Sequence, residues 1–314
     1  MASSRRNFLT GSAVALVGGV IGASLPVLAQ RRGRGRGGRG PVTGTFTPIR
    51  RNVGFFTGRG GTIGYLVNAA GVVVVDSQYP DSAEICLTGL RERSGNKPID
   101  FLINTHHHGD HTAGNIVFKD VAGHVVAHEM AARHQRQLPG RAPLSAEQLT
   151  QQLFPDTTFE NTWSESVGDE TISIKHYGRA HTSGDVVTTF QQANVVHMGD
   201  LMFNRRHPVV DRPAGAILAH WIEVLEGTVA DHNADTAYIF GHGGQGQPVT
   251  GDQADLLHFR DYLTALLDYM KREVAAGKSE EAIASVQDTL SGFEAHGPLN
   301  RTILGNAYAE VSGG

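Results

Sequence analysis

The chain predicts an α/β fold: two mixed sheets packed face to face, helices on their outer sides, and a helical extension at the C-terminal end. Three observations predict it. With 314 residues, 40% of them hydrophobic, the chain can bury a large core as one domain with a small appendage. Strand-like runs and helix-like stretches alternate in two successive halves, from about Phe46 to Gln137 and from Thr171 to Phe240. Beyond Asp252 the spacing turns helical, with apolar residues at Leu256, Leu257, Phe259, Tyr262, Leu263, Leu266, Leu267 and Met270. Two strand–helix halves with a helical tail are the pattern of paired sheets covered by helices.

Each element follows from its own residues. Residues 61–67 and 71–76 are apolar runs around the turn Asn68-Ala69-Ala70-Gly71, a hairpin. Residues 81–93 read as a helix, and 99–104 as a buried strand ending in a histidine cluster. A short helix is expected over 112–118, a strand over 124–127 and a helix to about Gln137. The Pro- and Gln-rich interval 138–160 reads as an insertion or lid. In the second half, strands are expected over 171–177, 186–190, 194–198 and 237–240, with a helix over 216–229.

The N-terminal region has a different character. Arg5-Arg6 precede an apolar run from Gly11 to about Leu25 and a small-residue exit at Val27-Leu28-Ala29. This resembles a twin-arginine (Tat) export signal over 1–29, so a periplasmic or secreted destination is expected, with membrane contact only during export. Residues 30–45, rich in Arg and Gly, read as a flexible linker. The expected catalytic domain spans 46–250, and 251–314 form the helical extension packed on it. Residues 1–40 hold seven Arg and no acid, so the formal net charge of −4 becomes about −11 over the remainder. Such an acidic body argues against nucleic-acid binding, which needs a basic footprint. Cys86, the only cysteine, excludes an internal disulfide and reads as a small core residue.

The chemistry is concentrated at Thr105-His106-His107-His108-Gly109-Asp110-His111, directly after the buried strand. His106, His108, Asp110 and His111 lie too close together for one helical face, but a turn leaving a strand can splay them around two cations. Imidazole and carboxylate together suit zinc, and also iron or manganese. Three later ligand types stand at strand exits beside Gly or small residues: His181, Asp200 and His242.

These motifs resemble the metallo-β-lactamase superfamily over roughly residues 50–245. The resemblance implies an αβ/βα sandwich with a dinuclear site at one edge of the sheets. It assigns His106, His108 and His181 to the first metal, Asp110, His111 and His242 to the second, and Asp200 to a bridge between them. Two divalent ions, Zn2+ foremost, are therefore expected as cofactors. His108 in place of Glu separates the chain from the di-iron oxygen-reducing relatives. Asp200 in place of Cys is more similar to glyoxalase II, lactonases and general hydrolases of the superfamily.

The implied function is that of an exported hydrolase. A hydroxide shared by two metals would attack the carbonyl of a small ester, lactone, thioester or amide, β-lactams included, and Asp110 would orient that hydroxide. The alternatives are an iron-dependent sulfur or oxygen oxidoreductase on the same fold and a non-catalytic metal-binding module. His107 is expected to lie behind the ligands or to face solvent, and His197 and His220 are the remaining histidines nearest the pattern. Asp76 reads either as a hydrogen-bond partner of a ligand histidine or as a strand-end turn acid. Phe55 and Phe56 read as a flap or as a strand start. Arg205 and Arg206 read as carboxylate binders or as solvated cations.

Overall fold

The computed structural model describes residues 42–138 and 140–313; the expected export signal over 1–29 and most of the expected linker over 30–45 lie outside the described residues. Seven strands, β1 (Thr45–Arg50), β2 (Val53–Thr57), β3 (Ile63–Val67), β4 (Val72–Val75), β5 (Ile99–Asn104), β6 (Ala122–His128) and β7 (Thr157–Phe159), lie side by side in that order. The first four pair antiparallel, whereas β4 to β7 run parallel. The second sheet has the order β15-β13-β11-β10-β9-β8. Its strands are β8 (Thr162–Val167), β9 (Glu170–Lys175), β10 (Val187–Phe190), β11 (Val195–His197), β13 (Ala237–Ile239) and β15 (Thr250–Gly251). A small parallel pair, β12 (Phe203–Asn204) and β14 (His242–Gly243), lies at the mouth of the site.

The helices are α1 (Pro80–Ser94), α2 (Gly109–Thr112), α3 (Glu129–Arg136), α4 (Ala146–Thr150), α5 (Leu218–Asp231), α6 (Gln253–Ala275), α7 (Glu280–Ala284) and α8 (Arg301–Val311). Strand periodicity sorts the side chains between layers. Val73 and Val75 face the second sheet and join Ile103, Ile172, Ile174 and Ile239, while Val72 and Val74 face outward against Cys86, Leu87 and Leu90 of α1. A strand buried on both faces reads as an unbroken apolar run, which is why β4 shows no alternation. Each such fully buried Val contributes roughly 1.5–3 kcal/mol. On the far side, Val196 and Tyr238 pack against Trp221 and Leu225 of α5 and Phe259 and Leu263 of α6.

The predicted layers are therefore present. Asn68 closes the β3–β4 turn, its side chain accepting from the amides of Ala70 and Gly71 at 2.9 Å each. Several strands were not foreseen, β7 and β8 among them. β7 extends the first sheet out of the 138–160 interval, and β8 is a polar edge strand. Phe56 is buried in β2 and Phe55 packs at the inter-sheet core, so these residues form a strand and not a flap. Cys86 lies in the core with its thiol pushed far up by burial. No helix among the described residues is long and apolar enough to cross a membrane.

Candidate metal centre

Strand ends converge to build the site. β5 ends at Asn104 and delivers Thr105 to His108; α2 then carries Asp110 and His111. β11 runs into a 3-10 turn, Gly199–Leu201, that presents Asp200, and β14 begins at His242. His181 arrives on the loop between β9 and β10. Potential ligand atoms of His106, His108, His181 and Asp200 lie within 4.8 Å of one another, as do those of Asp110, His111 and His242. All seven residues singled out from the sequence are thus brought together. Asp200 faces both groups: Oδ2 lies 3.8 and 3.5 Å from Nε2 of His106 and His181, and Oδ1 lies 3.0 and 3.3 Å from Nε2 of His111 and His242. Close approach demands glycine nearby, since a side chain at Gly241 would run into the Asp200 carboxylate and one at Gly61 into the His111 ring.

The outer nitrogens reveal which way each imidazole points. Thr105 donates its hydroxyl to Asp76 Oδ2 at 2.8 Å, so His106 Nδ1 donates to Thr105 Oγ1 at 3.0 Å. His111 Nδ1 donates to Asp76 Oδ2 at 2.7 Å, His181 Nδ1 to the Val209 carbonyl at 2.7 Å, and His108 Nε2 to Asp211 Oδ2 at 2.9 Å. On His106, His108 and His181 a proton on the outer nitrogen leaves a lone pair on the inner one. His108 Nδ1 and His181 Nε2 then face each other at 2.9 Å, and buried His106 Nε2 has no hydrogen-bond partner among the described residues. Lone pairs converging at this range are stabilised by a bound cation or a shared proton. The donor set fits divalent metal ions.

Electrostatics divide the ligands. Burial and then the charge of His111 hold His106 well below its ordinary value, and burial with His108 lowers His181 to about 3. Burial works against charge on His111 and His242 too, but Asp200 overrides it in both. With Asp76 it lifts His111 well above the usual range, and with Asp110 it raises His242 to about 9. Burial opposes ionisation of Asp200, yet His242 and His111 keep it well below the usual carboxylate range.

Three features differ from the sequence reading or complete it. Asp76 is fully buried and is a hydrogen-bond partner, not a free turn acid. His107 does not face solvent; it is buried with Nε2 3.4 Å from Asp211. Asp211 itself was missed, although it follows Val209-Val210 as Asp76 follows an apolar strand, and that apolar-then-acid pattern is a usable signal. His197 fixes the Asp200 turn by accepting from the Gly199 amide at 3.1 Å, with Nε2 3.0 Å from the Thr62 carbonyl. His220 is exposed on α5. Phe203 stacks on His242 at 5.4 Å, and Trp221 and Phe259 lie behind it, so α6 buttresses the site from the rear.

The comparisons agree with this geometry. The family model described as the metallo-beta-lactamase superfamily matches residues 56–264, and the chain belongs to that superfamily. Among particular proteins, it is similar to the metallo-beta-lactamase type 2 of Bacillus cereus, 23% identical over 68% of this chain and 78% of that one. It is also similar to the 2,4-dinitroanisole O-demethylase subunit alpha of Nocardioides sp. (strain JS1661), 26% identical over 42% of this chain but only 38% of that protein. Among solved structures, a metallo-beta-lactamase from Pontibacter korlensis superposes with a TM-score of 0.57 at 21% identity, covering 71% of this chain and 99% of that one. The DIM-1 metallo-beta-lactamase gives 0.57 at 16% identity, covering 71% and 98%. Those two likenesses establish the fold.

Proposed function

We propose that the chain is an exported metal-dependent hydrolase. His106, His108 and His181 would hold one divalent ion, Asp110, His111 and His242 a second, and Asp200 both. The observation that carries this is the convergence of inner lone pairs, His108 Nδ1 and His181 Nε2 at 2.9 Å above all. Two such ions, zinc foremost, supply a water acidified towards neutral pH and a positive charge that polarises a carbonyl. The chain's own groups do the rest. Asp110, 28% exposed and with Oδ2 3.2 Å from His242 Nε2, stands where it can accept a hydrogen bond from the attacking water and aim it. Asp76 and Asp211 keep the imidazoles in the tautomer that leaves their lone pairs inward. The grouping of Asp110, His111 and His242 favours the two-ion hydrolase over a one-iron oxidoreductase. The two named relatives are a β-lactamase and an O-demethylase subunit, so on this reading the centre sets the chemistry and the loops set the substrate.

The test is initial-rate hydrolysis of a chromogenic cephalosporin, a lactone, an aryl ester and a thioester by zinc-loaded protein, with metal content measured on the same sample. Chelator-sensitive turnover of any one of them supports the reading. A folded protein that retains about two metals yet turns over none of the four would reject it. Asp110→Ala should lower kcat far more than it raises KM. Equal kcat in a fully metallated variant would remove Asp110 from the reaction.

A further inference from the structure

A cavity of about 840 Å3 opens beside the first ligand group. Its volume is that of a small-molecule site. His107, His108 and Asp211 line one side of it, and Leu138, Arg141, Leu144 and Gln148 line another. Its charge is one-sided. Asp211 is the only carboxylate among the described residues lining it, and that carboxylate is already engaged by both histidines. Arg141 is the only lysine or arginine among them, and its exposed guanidinium takes part in none of the hydrogen bonds or ion pairs of the described residues.

Two guanidiniums near the site are committed, while Arg206 lies over the Phe203 ring, 5.6 Å from its centroid. Arg205 is held by Asp255 at 3.1 Å and by Asn204 at 2.8 Å, and Arg179 donates to the Gly215 carbonyl at 2.9 Å. Around Arg141 the walls are apolar at Ile116, Leu138 and Leu144, and glutamine amides supply the remaining donors. A free planar fork of donors in a recess without a free anion suits a carboxylate.

We propose that Arg141 is the substrate-selecting residue of this chain. It binds the carboxylate of a substrate whose apolar body lies against Leu138, Leu144 and Ile116, while the scissile group reaches the metal centre. This rests on the metallohydrolase reading above. Arg141 does not act on the reacting atoms; it selects and positions.

The experiment needs no turnover. The full chain loaded with cobalt is titrated with 6-mercaptohexanoate and with 6-mercaptohexan-1-ol, and binding is read from the sulfur-to-cobalt charge-transfer band. The two probes share a metal-binding thiol and an apolar chain and differ in the far group. The parent is expected to prefer the acid by about tenfold. Arg141→Gln should bring the ratio close to one with the alcohol's affinity unchanged, and Arg141→Lys should restore part of it. An acid preference that survives Arg141→Gln overturns the inference. So does a ratio that falls in Arg206→Gln instead, which places the anchor on the 201–216 loop. Failure of the metal-centre reading shows differently: the parent then gives no band with either thiol, and the inference falls with it.

Discussion

Two parts of the interior are rich in histidine, and they bury imidazole in opposite ways. After β5 and on the loop between β9 and β10, the outer nitrogens of His106, His108, His111 and His181 are each tied to an acceptor, and the inner ones converge. Under α6, His258 and His296 sit among Tyr262, Phe259 and Phe293. There His258 Nε2 and both nitrogens of His296 are buried without a partner. Only His207 in that cluster is fully engaged, with Tyr262 Oη at 2.6 Å and the Pro298 carbonyl at 2.9 Å. A buried histidine is therefore not evidence of a ligand. An outer nitrogen anchored to an oxygen, with an inner lone pair aimed at other lone pairs, is the better criterion.

The largest effect should come from removing the group that serves both sets of ligands. Asp200→Ala takes away the carboxylate facing all of His106, His181, His111 and His242. Metal content should drop from about two ions to one or fewer, and turnover by on the order of a thousandfold or more. Elemental analysis beside initial rates checks this. A variant that keeps both ions and most of its rate would mean that Asp200 is a structural acid and the two groups are independent.

Next come the anchors. Asp76→Ala frees the outer nitrogen of His111 and the Thr105 hydroxyl that orients His106, so metal affinity should fall by roughly 10- to 100-fold. Asp211→Asn should cost about tenfold and act through His108 alone among the ligands. Competition against a fluorescent zinc chelator measures both. Parent affinity in the two variants would break the criterion, because ring orientation would then owe nothing to the outer nitrogen.

The sequence reading succeeded where chemistry and periodicity coincide. The seven ligand candidates were legible because most of them follow closely on a strand recognisable from its own apolar run. Asp211 was not, because it sits in a loop without periodicity and meets His108 across 103 positions of chain. β8 escaped because an edge strand leaves much of its surface to water. Its residues Thr162 to Val167 are mostly polar and exposed, which is also how a loop reads. The orphaned state of His258 and His296 depends on what α6 and the segments after it pack against, which no local pattern records.

The smallest effect belongs to the second histidine region and gives the contrast a sign. Burial first, and then the positive charges of His207, His258 and Arg205, lower His296 to about 3 from an ordinary value near 6.5. A depressed folded value means that the unfolded chain binds the extra proton below pH 6.5. Stability contributed by neutral His296 is therefore full above that pH and drains away as pH falls towards 3. At pH 5 the loss should be on the order of 1 kcal/mol. The check is urea unfolding of parent and His296→Phe at pH 7.5 and pH 5, each with and without chelator. The parent should lose more stability on acidification than the variant, and by the same margin whether or not metal is present. His181, itself a candidate ligand, is also lowered to about 3, by burial and then His108, so a bound metal would add to its acid sensitivity and a chelator should remove only that added part. If His296→Phe leaves the acid-dependent loss unchanged, the unpartnered ring is not what acid attacks. The two histidine regions would then differ in geometry but not in their response to protons.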